Sequence, residues 1–338
     1  MSVPSPLAPI DNSPSGSALS HLQKGSERTN ASTAGGWPLG AIHDVADAIL
    51  YTLVYADLFD YPLRSEEIHR YLTGYAAPLT VVEEHLHQNG RLGEQLVSAA
   101  PFWFLAGRES LVGLRRQREA FSLVLWQEAE RYGRLIAAIP FVRMVSITGS
   151  LAMNNASSPR DDIDLLIVAA EKRVWLARGL TILIVHMARN FGVELCPNYV
   201  IAEHRLELGE PSLYAAHEMA QLIPISGLDL YLRLLESNAW SVSYLPNISP
   251  RQARARQPGT AGRLGQQVLE AALSGRLGDA VERRERERKI PRLRQIAEEQ
   301  GGSGAVYTPD LCKGHADDHS AGVDQQFVAR LASQGVEP

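Results

Sequence analysis

The chain has 338 residues, 45% of them apolar and 21% charged, with a formal net charge of −5. That length accommodates two or three domains, and that charge excludes a global basic field of the kind that gathers nucleic acid. The two cysteines, Cys196 and Cys312, lie far apart in no metal-like spacing, which argues against a secreted disulfide framework and fits a reduced cytoplasm.

Residues 1–36 are rich in Ser, Pro, Ala, Gly and Asn and are expected to be a disordered tail. They have neither the basic start nor the apolar centre of a signal peptide. The longest apolar run, Gly179 to Ala188, falls well short of the roughly 20 residues a membrane helix needs, so no membrane partner is expected and the location is read as cytoplasmic. From Ala41 to Leu58, Val45, Ala48, Ile49, Thr52 and Leu53 recur at helical spacing. A second helix starts near Ser65, and a third opens at Pro78-Leu79-Thr80 with Thr80 as its N-cap and Asn89-Gly90 as its stop. Gln95–Val97 and Phe102–Leu105 flank an Ala-Pro turn and read as a hairpin.

Three helices and then a hairpin is the order of a winged helix, so 37–108 is expected to be a winged-helix-like domain. A DNA-binding regulator is one reading of it. The third helix, TVVEEHLHQN, carries Glu83 and Glu84 and no Arg or Lys, and carboxylates there would be repelled by phosphates. Nucleic acid is therefore not the expected partner; the domain braces or docks instead. Glu109 to Ile139 is a long amphipathic helix ended by Pro140, making 109–140 a linking helix.

Next comes Thr148-Gly149-Ser150, eleven further residues, and then Asp162-Ile163-Asp164-Leu165-Leu166-Ile167-Val168. The pattern predicts two buried strands, Arg143 to Thr148 and Ile163 to Val168, joined by a polar loop. Strand side chains alternate, so Asp162 and Asp164 share one side and Asp161 takes the other. Two carboxylates beside a small-residue turn suit a divalent ion that holds a phosphate chain, as magnesium does. Gly149 lets backbone approach a phosphate, and Ser150 can donate a hydrogen bond to one.

Gly-Ser, a spacer of this length and an apolar-flanked Asp-x-Asp together resemble the signature of the DNA polymerase beta-like nucleotidyltransferases, the minimal and antibiotic-modifying members above all. The resemblance covers about Met144 to Ile201. It implies an α/β (α+β) fold with a small mixed sheet, a nucleotidyltransferase core over 141–203, and two Mg2+ or Mn2+ ions held by Asp162 and Asp164. It also implies attack of an acceptor on the α-phosphate of a nucleoside triphosphate, with pyrophosphate leaving. The acceptor, a small molecule or a protein, is not identified by the sequence.

Such enzymes usually take a third carboxylate from the next core strand, here Val193 to Ile201. Glu194, Cys196, Asn198 and Val200 share one face of it unless Pro197 bulges the strand. Glu194 lies two residues, about 7 Å, toward the strand's start. Three alternatives stand: Glu194 is the third acid, Asn198 substitutes weakly for it as a metal ligand, or the base is missing and catalysis is impaired, which would leave a catalytically weak or inactive nucleotide-sensing module. Cys196 reads as a small core residue.

Residues 204–248 are expected to be a helical substrate-side module: Ser212 to Gln221, Leu228 to Ser237, and a strand-like stretch around Trp240 between Asn238 and Asn247, with His217 and Glu218 as ordinary helix-surface residues or candidate substrate contacts. Residues 249–338 are expected to hold a Pro- and Arg-rich linker, a charged helix over Gly262 to Glu299 interrupted at Pro291, and a His/Asp-rich tail. Glu282 to Arg294 has seven basic residues against three acids; pairs such as Glu282 with Arg286 read as a solvated, self-neutralising face, with phosphate or RNA contact as the sharper reading. After a hinge at Gly301–Gly304, Cys312 to His319 is dense in ligand-capable groups. It reads as a polar capping loop, a metal site, or a tail offering Lys313 to the triphosphate.

Overall fold

A computed structural model describes residues 42–88, 90, 92–254, 260–300, 304–314 and 319–336. The expected disordered tail 1–36, the stop at Asn89, most of the Gly301–Gly304 hinge, and His315, Asp317 and Asp318 of the ligand-dense run lie outside the described residues.

Helices α1 (Val45–Asp57), α2 (Ser65–Arg70) and α3 (Leu79–His87) precede the hairpin of β1 (Leu96–Ala99) and β2 (Phe102–Leu105). The expected cap at Thr80 is not used: Pro78 holds the N-cap position, where a residue without an N–H costs no bond, and Thr80 is already helical. Nearly every residue of α1 is buried, because the C-terminal helix α12 (His319–Ser333) packs on it. Phe327 of α12 meets the rings of Tyr51 and Tyr55 edge-on, and Arg330 pairs with Asp57 at 3.3 Å. The chain end expected to be a polar tail thus closes the N-terminal helices.

Helix α4 (Leu111–Ala137) carries the chain to the central sheet. Its Arg115 is fully buried yet well partnered. The guanidinium reaches Glu67 at 2.8 Å, Glu119 at 2.9 Å and the Pro62 carbonyl at 3.1 Å, and lies 3.7 Å over the Tyr61 ring. Carboxylates and a π-face offset the desolvation of that charge, which fixes the N-terminal helices to α4.

The sheet has six strands in the order β6-β3-β4-β5-β8-β7. They are β3 (Val142–Ile147), β4 (Ile163–Ala169), β5 (Leu195–Ala202), β6 (Ile223–Ser226), β7 (Val306–Thr308) and β8 (Leu311–Lys313). Only β4 and β5 run parallel, joined across one face by α6 (Val174–Arg189); the other pairings are antiparallel. The mixed α/β sheet expected from the sequence is present, but it draws strands from beyond 141–203. The stretch expected to be a helical module, 204–248, supplies β6 between α7 (Leu213–Gln221) and α8 (Leu228–Ser237). The stretch expected to be a tail supplies β7 and β8. Pro224 is tolerated in β6 because that strand is an edge. The segment around Trp240 is helical, α9 (Ser241–Tyr244), rather than strand-like.

Alternation along the strands divides the core. Val145, Ile147, Ile163, Leu165 and Ile167 face α4 and α6; Met144, Leu166 and Val168 face Met219 of α7 and Tyr231 and Leu234 of α8. The charged helix expected over Gly262–Glu299 is two helices, α10 (Thr260–Leu273) and α11 (Arg276–Glu299), parted at Ser274-Gly275, with Pro291 inside α11. Glu282 is not solvated. It is buried, and its carboxylate accepts from the backbone N–H of Trp175 at 3.1 Å and of Leu176 at 2.7 Å. Those are orphan donors of the first turn of α6, whose own N-cap Arg173 gives no side-chain bond. The asparagines that the sequence left without a role are structural pins. Asn238, fully buried, bonds Leu206, Leu208 and Leu234 backbone, and Asn247 bonds the carbonyls of His69 and Ala77.

Candidate metal centre

Asp162 is the last residue before β4 and Asp164 its second residue, on the face that looks toward α7 and α8. The strand is anchored there because the Thr148 N–H, at the end of β3, donates to the Asp164 carbonyl at 3.0 Å. Gly149 and Ser150 follow at once as the first residues of the four-residue helix α5 (Gly149–Ala152). Gly149 has φ +63°, and a Cβ built on it would sit 2.2 Å from Asp164 Oδ2. The space its missing side chain leaves is therefore taken by the Asp164 carboxylate rather than held open for a phosphate. An alanine there is strained in backbone and in contact alike. Gly149→Ala is expected to lower stability by about 2–3 kcal/mol and to displace Asp164; denaturant unfolding beside divalent-ion titration checks both.

On the other side of Asp164 is β5. Asp164 pairs with Cys196, but Leu166 pairs with Tyr199, so β5 carries one extra residue between them. Pro197, which has no N–H for the ladder, stands at that bulge. The bulge changes the expected phase: Val200 turns to the α4 and α6 side of the sheet, away from Cys196 and Asn198. Asn198 Nδ2 donates to Asp164 Oδ1, and the Cys196 thiol donates to Asn198 Oδ1 at 2.7 Å. Ligand atoms of Asp162, Asp164 and Cys196 all lie within 4.8 Å of one another. The sequence reading of Cys196 as a core residue is thus corrected: its sulfur faces the aspartates.

The electrostatics follow from crowding of like charge. Burial, and then the Asp162 carboxylate, push Asp164 up to about 7; the Asn198 bond works against them, while Glu218 and Asp161 add to them. Burial, then the charges of Asp164, Asp162 and Glu194, push the Cys196 thiol up to about 12. A divalent cation would reverse each of these penalties, so this donor set of carboxylates and a thiol fits a metal.

Other expected site residues are distributed as follows. Glu194 is exposed, level with Asp162, and its carboxylate is held by Arg189 at 3.0 Å. Asp161 closes its own loop, accepting from the Ser157 N–H at 2.7 Å. Lys313 lies at the end of β8 opposite Tyr199, and the next residue, Gly314, donates to the Asn198 carbonyl at 2.9 Å. By alternation Lys313 shares a face with Leu311, the face on which Asp164 stands. Cys312 is buried on the opposite face. His217 is buried, its ring stacked 3.9 Å from that of Tyr55 and 5.5 Å from that of Tyr71. It is core, neither substrate contact nor helix surface. Its neighbour Glu218 is part-buried on α7, is pushed up to about 7 by burial, and its charge bears on Asp164. The sequence offered Glu218 as an ordinary helix-surface residue or a substrate contact; its place near the aspartates depends on α7 meeting α5, which no local pattern records.

The loop after α5 is tied to the N-terminal helices and α4. The Tyr61 hydroxyl donates to the Met153 carbonyl, Trp126 Nε1 to Asn154 Oδ1 at 2.7 Å, and Arg118 to Asn155 Oδ1 at 3.2 Å. Asn155 in turn donates its N–H to the Ser150 carbonyl at 2.9 Å. Among the described residues no helix is long and apolar enough to cross a membrane. Comparison of the chain with protein-family models, with curated proteins and with solved structures finds no match.

Proposed function

We propose that the protein is a metal-dependent nucleotidyltransferase that moves a nucleoside monophosphate from a triphosphate to a small-molecule or protein acceptor. The observation that carries this reading is the convergence of Asp162, Asp164 and Cys196 within 4.8 Å, directly beside the Gly149-Ser150 turn. Asp162 and Asp164 would hold Mg2+ or Mn2+, which when bound neutralises the triphosphate and polarises the reacting phosphorus. Ser150 and Lys313 bind phosphate oxygens at the edge of the centre. Asn198 orients the Asp164 carboxylate. Glu218 takes the proton from the acceptor nucleophile, a role suited to a carboxylate raised to about 7. The N-terminal helices and hairpin, winged-helix-like in order, act as a brace for the loop that follows Ser150 rather than as a reader of DNA. Transfer of this kind needs chiefly positioning and charge neutralisation, so few residues suffice.

The test is pyrophosphate release from each of the four ribonucleoside triphosphates with Mg2+ or Mn2+, with cell extract as a source of acceptor. Release dependent on Asp164 supports transfer, and the preferred nucleotide narrows the acceptor search. The engagement of Glu194 by Arg189 favours a second reading, a nucleotide sensor without turnover. Tight triphosphate binding with no release, extract included, would replace the first reading by the second. Retention on duplex DNA at low salt would instead restore a regulator.

A further inference from the structure

Two carboxylates are what a magnesium centre asks for; the third donor here is sulfur. Cys196 is set opposite Asp164 by the strand register, and the bulge that follows leaves Asn198 beside it rather than another apolar side chain. One amide then serves both ligands: Asn198 Nδ2 donates to Asp164 Oδ1 while its Oδ1 accepts from the Cys196 thiol at 2.7 Å. Metal–oxygen and metal–sulfur bonds of about 2.0–2.3 Å at tetrahedral angles separate two ligands of one ion by about 3.5 Å. Donor atoms already within 4.8 Å thus need a closing movement of about 1 Å to share an ion. Hard magnesium takes oxygen and retains water, whereas a thiolate favours a softer ion.

We propose that Cys196 is the third ligand of the Asp162 and Asp164 centre and makes it select a thiophilic divalent ion of the zinc type over magnesium. The proposal rests on the reading of the two aspartates as metal ligands, not on nucleotidyl transfer, and it puts a zinc-type ion where that reading put Mg2+ or Mn2+. Binding releases the thiol proton to solvent as the sulfur–metal bond forms, and Asn198 keeps its bond to Asp164. The open positions of a three-ligand site stay available to water or a phosphate oxygen. Cys312, buried on the other face of the sheet, takes no part.

The experiment uses the full chain freed of metal and titrated with Co2+ alone. The expected result is a thiolate-to-cobalt charge-transfer band in the near ultraviolet, saturating at one equivalent, present in the wild type and in Cys312→Ser and lost in Cys196→Ser. Zn2+ should abolish the band, whereas Mg2+ in about hundredfold excess should not. Cobalt affinity should fall roughly 10- to 100-fold in Asn198→Ala, which leaves both ligands unoriented. X-ray absorption of the zinc-loaded wild type needs no variant, and one sulfur is expected in its first shell. A shell of oxygen and nitrogen only, or a cobalt band that survives Cys196→Ser, overturns the proposal. A sulfur-bound ion in a protein that never releases pyrophosphate would sink transfer and leave the centre standing; magnesium-dependent release with no sulfur in the shell would do the reverse.

Discussion

Asparagine at position 164 is expected to reduce pyrophosphate release by about 10³-fold or more while making the metal-free protein harder to unfold. The two effects share one cause. Asp164 is wedged between Gly149, whose Cβ its carboxylate replaces, and Asn198, which donates to it. Asparagine keeps the shape and still accepts that bond through its own Oδ1, so packing is retained and only the charge is lost. Without that charge the ion has one carboxylate fewer, and a metal clamp supplies several kcal/mol to a phosphoryl transition state.

The stability effect runs the other way because the carboxylate is raised to about 7 from an ordinary 3.8, first by burial and then by Asp162. A raised acid binds its proton more tightly in the folded chain than in the unfolded one. Its contribution is intact below 3.8 and is lost as pH rises toward 7. At pH 8 the ionised group therefore costs the metal-free fold on the order of 2–4 kcal/mol, which Asp164→Asn removes. Denaturant unfolding at pH 8, beside the release assay, reads both. Retained turnover would end the proposed mechanism, and a less stable variant would show that the charge is not the strained element. A site that lowers stability where it does chemistry is a common compromise.

What was legible in the sequence was whatever a local pattern could carry. The period of α1, the Gly-Ser turn and the two strands around it are each written within 13 residues or fewer. Pro224 hides β6 from a reading of the sequence, because a proline in a strand is tolerated only where the neighbour on one side is absent, and nothing local says that Ile223–Ser226 is an edge. Leu311–Lys313 is three residues long inside an Asp- and His-rich run, so β8 has no periodicity to display. Glu282 and Arg286 stand one helical turn apart and looked like a surface pair, but the N–H groups that claim Glu282 belong to Trp175 and Leu176, more than a hundred positions earlier. The candidate centre follows the same rule. Asp162, Asp164, Gly149 and Ser150 form a spaced motif legible in the sequence; the place of Cys196 depends on which residue of β5 the register sets opposite Asp164, and that of Glu218 on where α7 comes to rest.

His217 gives the other large effect, and its signature is a slope with pH. Its ring stacks on those of Tyr55 and Tyr71, Nε2 is buried with no hydrogen-bond partner among the described residues, and burial holds the imidazole down to about 3 from an ordinary 6.5. Here the unfolded chain binds a proton that the folded chain refuses. Between pH 6.5 and 3 the fold loses about 1.4 kcal/mol per unit as pH falls. Glu218, next in sequence, and Asp164 titrate in the opposite sense, both raised to about 7, so they favour the fold as pH falls from 7 and mask His217 in the wild type. The difference between variants removes the mask. Phenylalanine at 217 retains the stack, leaves no orphan nitrogen and cannot take a proton. Relative to wild type, His217→Phe is expected to gain on the order of 2 kcal/mol between pH 6.5 and 5, read by denaturant melts at each pH. Wild-type and variant curves that stay parallel through that window would mean the imidazole is protonated where it sits, and that the Tyr55 and Tyr71 rings hold a cation rather than a neutral ring.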